Sequence, residues 1–239
     1  MRRHWLVFSL AASGVAGAQQ PVPPAAQYSI ATIDTANLPS SLALFDAMDE
    51  VVASLARRVT SVDSGAAIVA SIQRRTNWLR QRWRAAGARR APDPIGFRQS
   101  FAYDIAVVRA AASDESSRHI VAVLRDVNDD IVEKAEHCAK SPSGMATPVK
   151  VSVRTWSGKQ ESPDWQIVYI PKIMEFATDV SGAAMPFRVF SSPAVEELAP
   201  GRYIVWARRP GQSGVVSERT TIRVGGGAAT MTQDIPVPQ

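Results

Sequence analysis

Beyond residue 18 this 239-residue chain offers only three side chains with an imidazole or a thiol: His119, His137 and Cys138. The two histidines stand in one stretch with a helical apolar stripe, eighteen residues apart, and a rise of 1.5 Å per residue separates them by roughly 27 Å. They therefore cannot share a metal ion or a proton within one molecule. His137 and Cys138 are adjacent, but consecutive helical side chains point about 100° apart, so they do not form a nucleophile–base pair. Cys138 reads as a small residue near a helix end and His137 as a solvated or C-terminal helix residue.

The acids Asp126, Asp129, Asp130, Glu133 and Glu136 could hold a cation, yet they follow helical spacing without an oxygen-rich loop and read as a solvated face. The triplet Gly225-Gly226-Gly227 precedes a strand pattern, with no Lys-Ser or Lys-Thr after it, so it is not a phosphate loop. No G-x-S-x-G elbow occurs, and no carboxylate pair clusters in a cleft-like context. The expectation is thus no catalytic, cofactor-binding or metal-binding residue.

Two features suit binding. Among Trp156, Trp165, Tyr169 and Trp206, the alternation of the strand places Trp165 and Tyr169 inward, leaving Trp156, read as a turn residue, as the candidate for an exposed sugar-stacking surface. Arginines at 74, 75, 80, 82, 84, 89 and 90 form a run without an acid. Of these, Arg80, Arg82 and Arg84 could meet a polyanionic partner; the favoured reading is that the acids of the fourth helix lie beside them.

These residues need elements to carry them. Ser40 or Ser41 caps a first helix, with Leu44, Met48, Val51, Leu55 and Val59 on one stripe. Ser61 or Asp63 starts a second, with Ile68, Ile72, Leu79 and Trp83, which Gly87, Pro92 and Pro94 end. Phe97, Phe101, Ile105, Val108 and Ala112 mark a third. Ser113 or Asp114 caps a fourth, whose stripe of Ile120, Leu124, Val127, Ile131 and Cys138 is broken by Lys134. Residues 41–141 are therefore expected to form an antiparallel bundle of about four helices.

At residues 141–148, SPSGMATP, the period changes from 3.6 to 2. Val149, Val151 and Val153 alternate with polar neighbours, as do Trp165, Ile167 and Tyr169, and further strands are expected at 187–190, 202–207, 215–224 and 231–237. The expected fold is an α+β chain in two parts: the helical bundle, then an Ig-like or prealbumin-like antiparallel β-sandwich over 148–239. Different periods and a Ser/Gly/Pro-rich joint imply separable halves.

The segment SSPAVEELAPGRYIVWA, residues 191–207, resembles the signature of carboxypeptidase-regulatory-like (prealbumin-like) β-sandwich domains, through Leu198, Pro200, Gly201 and Tyr203. The resemblance implies that Leu198 closes a strand into the core, Pro200-Gly201 turn the chain, and Tyr203 is a buried corner residue whose hydroxyl bonds backbone. Such modules carry no catalytic residues of their own.

Arg2 and Arg3, the apolar run Trp5 to Leu10 and the small residues Ala16-Gly17-Ala18 read as a signal peptide, residues 1–18, cleaved after Ala18. Residues 19–40 are a Pro-rich tether. The apolar run is too short to span a bilayer, so no transmembrane segment is expected in the mature chain. A single cysteine allows no intramolecular disulfide. Removing two arginines from a formal charge of +5 leaves +3, which gives no reason to expect a nucleic-acid partner. The sequence points to an exported, periplasmic or secreted, non-enzymatic binding or scaffolding protein, in which the sandwich supports a helical domain that meets a protein partner. A carbohydrate-binding module using exposed aromatics is the alternative, and a hydrolase with an unrecognised site the third.

Overall fold

A computed structural model describes residues 27–30, 33–87, 93–141, 145–177, 188–212 and 215–238. The expected signal peptide and the first part of the expected tether lie outside them. Among the described residues four helices come first: α1 (Ser41–Val59), α2 (Gly65–Gly87), α3 (Ile95–Ala111) and α4 (Ser117–Lys140). Ser40 caps α1, its hydroxyl accepting from the Ala43 N–H at 3.3 Å. Ser116, rather than Ser113 or Asp114, caps α4, accepting from the His119 N–H at 3.4 Å. Asp114 instead accepts from the Ser116 N–H at 2.7 Å and so shapes the turn ahead of the cap.

The second helix starts later than its cap residues suggest. Gly65 packs so closely on the end of α1 that a Cβ there would lie 2.0 Å from the Val59 carbonyl oxygen, so only glycine allows this turn. Consecutive helices run antiparallel, whereas α1 and α3 lie side by side in the same direction. Ser41 bonds Asp93 at the start of both, and Arg58 bonds the Ala112 carbonyl at their ends. Phe45, Trp83, Phe97 and Phe101 interlock in the bundle core, with ring centroids 4.9 to 6.2 Å apart.

Eight strands follow among the described residues: β1 (Val149–Ser157), β2 (Gln160–Glu161), β3 (Gln166–Pro171), β4 (Arg188–Ser191), β5 (Ala194–Leu198), β6 (Gly201–Arg208), β7 (Thr220–Val224) and β8 (Thr230–Pro236). A short 3-10 helix, Lys172–Phe176, follows β3. One sheet has the order β4-β3-β6-β7, all antiparallel. In the other, β1 pairs antiparallel with β5 and β2 along one edge and parallel with β8 along the other. The segment 215–224 contributes a strand only from Thr220; Val216 makes an isolated bridge to Arg208.

The sandwich interior is filled by one side of each sheet, including Val149, Val151, Val153, Ile167, Tyr169, Tyr203, Val205 and Ala207. The outer side of the β3–β6 sheet is apolar too. Val168, Ile170, Ile204 and Trp206 are buried in the same cluster as the helix stripes, so the molecule has three layers: helices, sheet, sheet. That explains why β3 and β6 are apolar on both sides, while β1 alternates towards solvent. The tether also docks in part, as the Tyr28 N–H donates to the Phe176 carbonyl and its hydroxyl to Asp114 at 2.8 Å.

Candidate functional site

The polar side of α4 faces protein, and most of its acids are not a solvated face. Asp126 and Asp129 accept from the Arg202 guanidinium at 2.8 and 3.2 Å, and Asp130 accepts from the Arg202 N–H. Glu133 pairs with Arg223 at 3.3 Å. Glu136 pairs along the exposed side of the helix with Lys140, and Asp130 also pairs within α4, with Lys134. The acids therefore meet the sandwich and not the arginines of α2. The cause is local: β6 begins directly against α4, and Gly201, at φ +154°, has Asp130 Oδ1 2.8 Å from where a Cβ would stand.

Lys134, which interrupts the apolar stripe, is fully buried between Asp130 and Asp104 of α3, 2.7 Å from the latter. Burial pushes the Asp104 carboxyl well above its usual range, while both carboxylates hold the ammonium charged despite its burial. Burial also raises Asp126, against Lys172 and Arg202, and raises Glu133, against Arg223. This network joins α3 and α4 to the sandwich.

His137 is buried at the same joint, not solvated. Its Nδ1 lies 3.3 Å from the Gly227 N–H, which can only donate, so Nδ1 accepts and Nε2 carries the proton towards Thr147 Oγ1 at 3.3 Å. Burial lowers its pKa, which suits the neutral ring. Cys138 is buried beside it, with its thiol pushed up to about 12. His119 sits at the other end of α4, with Nδ1 3.2 Å from Asp114.

Of the arginine run, Arg89 and Arg90 lie outside the described residues, and Arg75, Arg80 and Arg82 are engaged. Arg80 is held by Asp46 and Asp49 of α1 with its side chain 13% exposed, so it is not a free partner-binding cation. The Arg82 guanidinium lies over the Trp78 ring and donates to the Cys138 carbonyl at 3.4 Å; Arg84 is exposed. Trp156 is not in a turn. β8 pairs along β1 as far as Trp156, which extends the strand and leaves the ring half-buried, 5.4 Å from the Arg154 guanidinium. At the corner between β5 and β6, Leu198 and Tyr203 are buried around Pro200-Gly201, and the Tyr203 hydroxyl donates to the Ala199 carbonyl at 3.0 Å.

Beside that corner lies a cleft of about 210 Å³ between α3 and the end of the sandwich. One face of α3 supplies Gly96, Gln99, Ser100 and Tyr103, and the strands supply Tyr169, Glu197 and Tyr203. Gln99 donates to the Tyr103 hydroxyl at 3.2 Å. The Tyr169 side chain is 1% exposed, and its hydroxyl finds no hydrogen-bond partner among the described residues.

No protein-family model matches the chain, and no curated protein matches it in sequence. Among solved structures, the crystal structure of (S)-allantoin synthase matches with a TM-score of 0.26 and 8% identity, over 84% of this chain and 96% of that one. So faint a likeness is no guide to residues or activity.

The cleft is the feature that sequence reasoning missed. Its α3 wall lies beside the apolar stripe rather than in a motif, and residues from four elements compose it. One signal was present: an inward-facing tyrosine in a sandwich strand must place its hydroxyl somewhere, and Tyr169 raised that question. Chemically the cleft offers hydroxyl and amide groups on an apolar frame.

Proposed function

We propose that this chain is an exported, non-enzymatic binding or scaffolding protein of the cell envelope or extracellular space, with the sandwich bracing a helical layer that meets a protein partner. The observation that carries this reading is how its ionisable groups are used. Lys134 is clamped between Asp104 and Asp130, His137 links Gly227 to Thr147, and Cys138 is buried with a raised pKa. Lys134 thus ties α4 to α3, His137 ties α4 to the sandwich, and Cys138 is shut in the core, so none of the three is presented as a base or nucleophile. The sandwich is read as a module of the carboxypeptidase-regulatory-like kind on the strength of its Leu198–Tyr203 corner.

Export rests on the leader sequence, where the small side chains of Ala16 and Ala18 suit a signal peptidase. The full chain, tagged at its C-terminus and expressed in a bacterium with a periplasm, is expected in the periplasmic fraction or medium with Gln19 as its first residue by intact mass. A cytoplasmic species that retains Trp5 would overturn the export half of the proposal.

A further inference from the structure

We propose that the groove between α1, α3 and the segment ahead of α1 holds an anionic acyl chain, of the kind found in a medium-chain fatty acid, with its carboxylate at Arg109. This goes beyond a protein partner for the helical layer and does not depend on it.

The groove is built as an arch over two helices. At one end of the arch the Tyr28 N–H donates to the Phe176 carbonyl and the Tyr28 hydroxyl to Asp114. At the other, Arg98 donates to the Leu38 carbonyl at 3.0 Å and Ser40 caps α1. Between these pins Asp34 accepts from the Ala36 N–H at 2.9 Å and from the Asn37 amide at 2.7 Å, which shapes the arch from within. Beneath it the parallel helices α1 and α3 present Ala43, Ala47, Ala102, Ala106 and Ala110. These short side chains leave an open space of about 600 Å³, an ordinary volume for a ligand site.

The lining selects an elongated apolar ligand. Ile33 and Leu38 of the arch face Leu44 and Ile105 across the alanines, and the last two are buried in the helical core. Few polar groups would answer a ligand rich in hydroxyls, since the Asn37 amide is already given to Asp34. From Ala102 to Ala110 the floor follows α3 for eight residues, roughly 12 Å at 1.5 Å per residue, which suits a chain laid along the helix.

Charge selects the head group. Asp34 and Arg109 are the charged residues of the lining. The Asp34 carboxylate is occupied by its own turn, and those hydrogen bonds, led by the one from Asn37, hold its carboxyl below the usual range. Arg109 is exposed in the last turn of α3, where the alanine floor ends, and has no hydrogen-bond or ion-pair partner among the described residues. The unmatched charge at the groove is therefore positive, and its complement is an anion on an apolar tail. One guanidinium balances one carboxylate and matches its two oxygens in a planar fork.

The test uses the mature chain from Gln19 and calorimetric titration with hexanoate, octanoate and decanoate, and with decanol as the uncharged control. Decanoate is expected to bind at one site, with affinity rising about twofold to fourfold per methylene along the series, the scale of burying hydrocarbon in an open groove. Ala106→Leu fills the floor on a helix face that is only partly buried, so the variant should melt no lower than the parent while decanoate affinity falls at least tenfold. Arg109→Gln should weaken decanoate about fivefold, the upper end for an exposed ion pair, and leave decanol unchanged. Absence of decanoate binding, affinity independent of chain length, binding unaltered in Ala106→Leu, or an Arg109→Gln variant that treats decanoate and decanol alike would each overturn the assignment.

Discussion

Tyr203 shows how one side chain can set a corner. Its ring is buried beneath the β5–β6 turn and its hydroxyl returns to the Ala199 carbonyl at 3.0 Å, tying strand exit to strand entry four residues apart. The two parts of the side chain are separable by mutation. Tyr203→Phe keeps the ring and should cost about 1 kcal/mol for the hydrogen bond. Tyr203→Ala leaves a cavity and should cost about 3 kcal/mol or more. Chemical denaturation of both variants checks this, and equal, negligible losses would contradict a buried corner. The residue was legible because Leu198, Pro200, Gly201 and Tyr203 lie within one short segment whose turn chemistry is local. Lys134 was not: its partner Asp104 stands 30 residues away on another helix, so in the sequence it is merely a polar break in an apolar stripe.

At the scale of elements, the helices and most strands were legible because hydrophobic period reports directly on local geometry. What the period cannot report is which neighbour covers a polar face. The acids of α4 fit a solvated side as well as a side turned to Arg202 and Arg223, and only the tertiary fold decides. The decision leaves a pH signature. Burial holds Asp126 and Glu133 above their ordinary range, although Arg202, Lys172 and Arg223 oppose the shift. With a raised folded-state pKa, the contribution of each carboxyl to stability is fully present below its unfolded value, about 4, and is lost as pH rises through the folded value. Acidification from about pH 7 towards about pH 4 should therefore strengthen this joint. Asp114, held low chiefly by the Ser116 N–H, acts in the opposite sense only at lower pH. Comparing melting temperatures of the parent and Asp126→Asn/Glu133→Gln isolates the effect: the variant should gain on the parent at neutral pH, and the gap should close towards about pH 4. A gap that widens on acidification would show that the ion pairs outweigh burial.

For the whole molecule, the decisive fact is that the helical layer and the sandwich share a core. The change of period near residue 148 and the Ser/Gly/Pro-rich joint favour separable halves, but neither reveals that one sheet is apolar on both sides. Val168, Ile170, Ile204 and Trp206 are 8% exposed or less only because the helices lie on them. Burying a side chain of this kind stabilises by about 1.5 to 3 kcal/mol, so uncovering four removes an amount comparable to the roughly 5 to 15 kcal/mol that a whole domain has in reserve. Arg202 and Arg223 would lose their carboxylate partners on α4 at the same time, and Gly227 its contact with His137. Residues 145–239 expressed alone are accordingly expected to retain strand-type circular dichroism, because the interior of the sandwich is intact, yet to bind a hydrophobic dye and to melt broadly. Adding residues 33–141 as a separate chain should suppress the dye signal and sharpen the transition if the two pieces reassemble. A fragment that melts cooperatively without binding dye would mean that the inner core alone suffices, and that the helices rest on a finished domain.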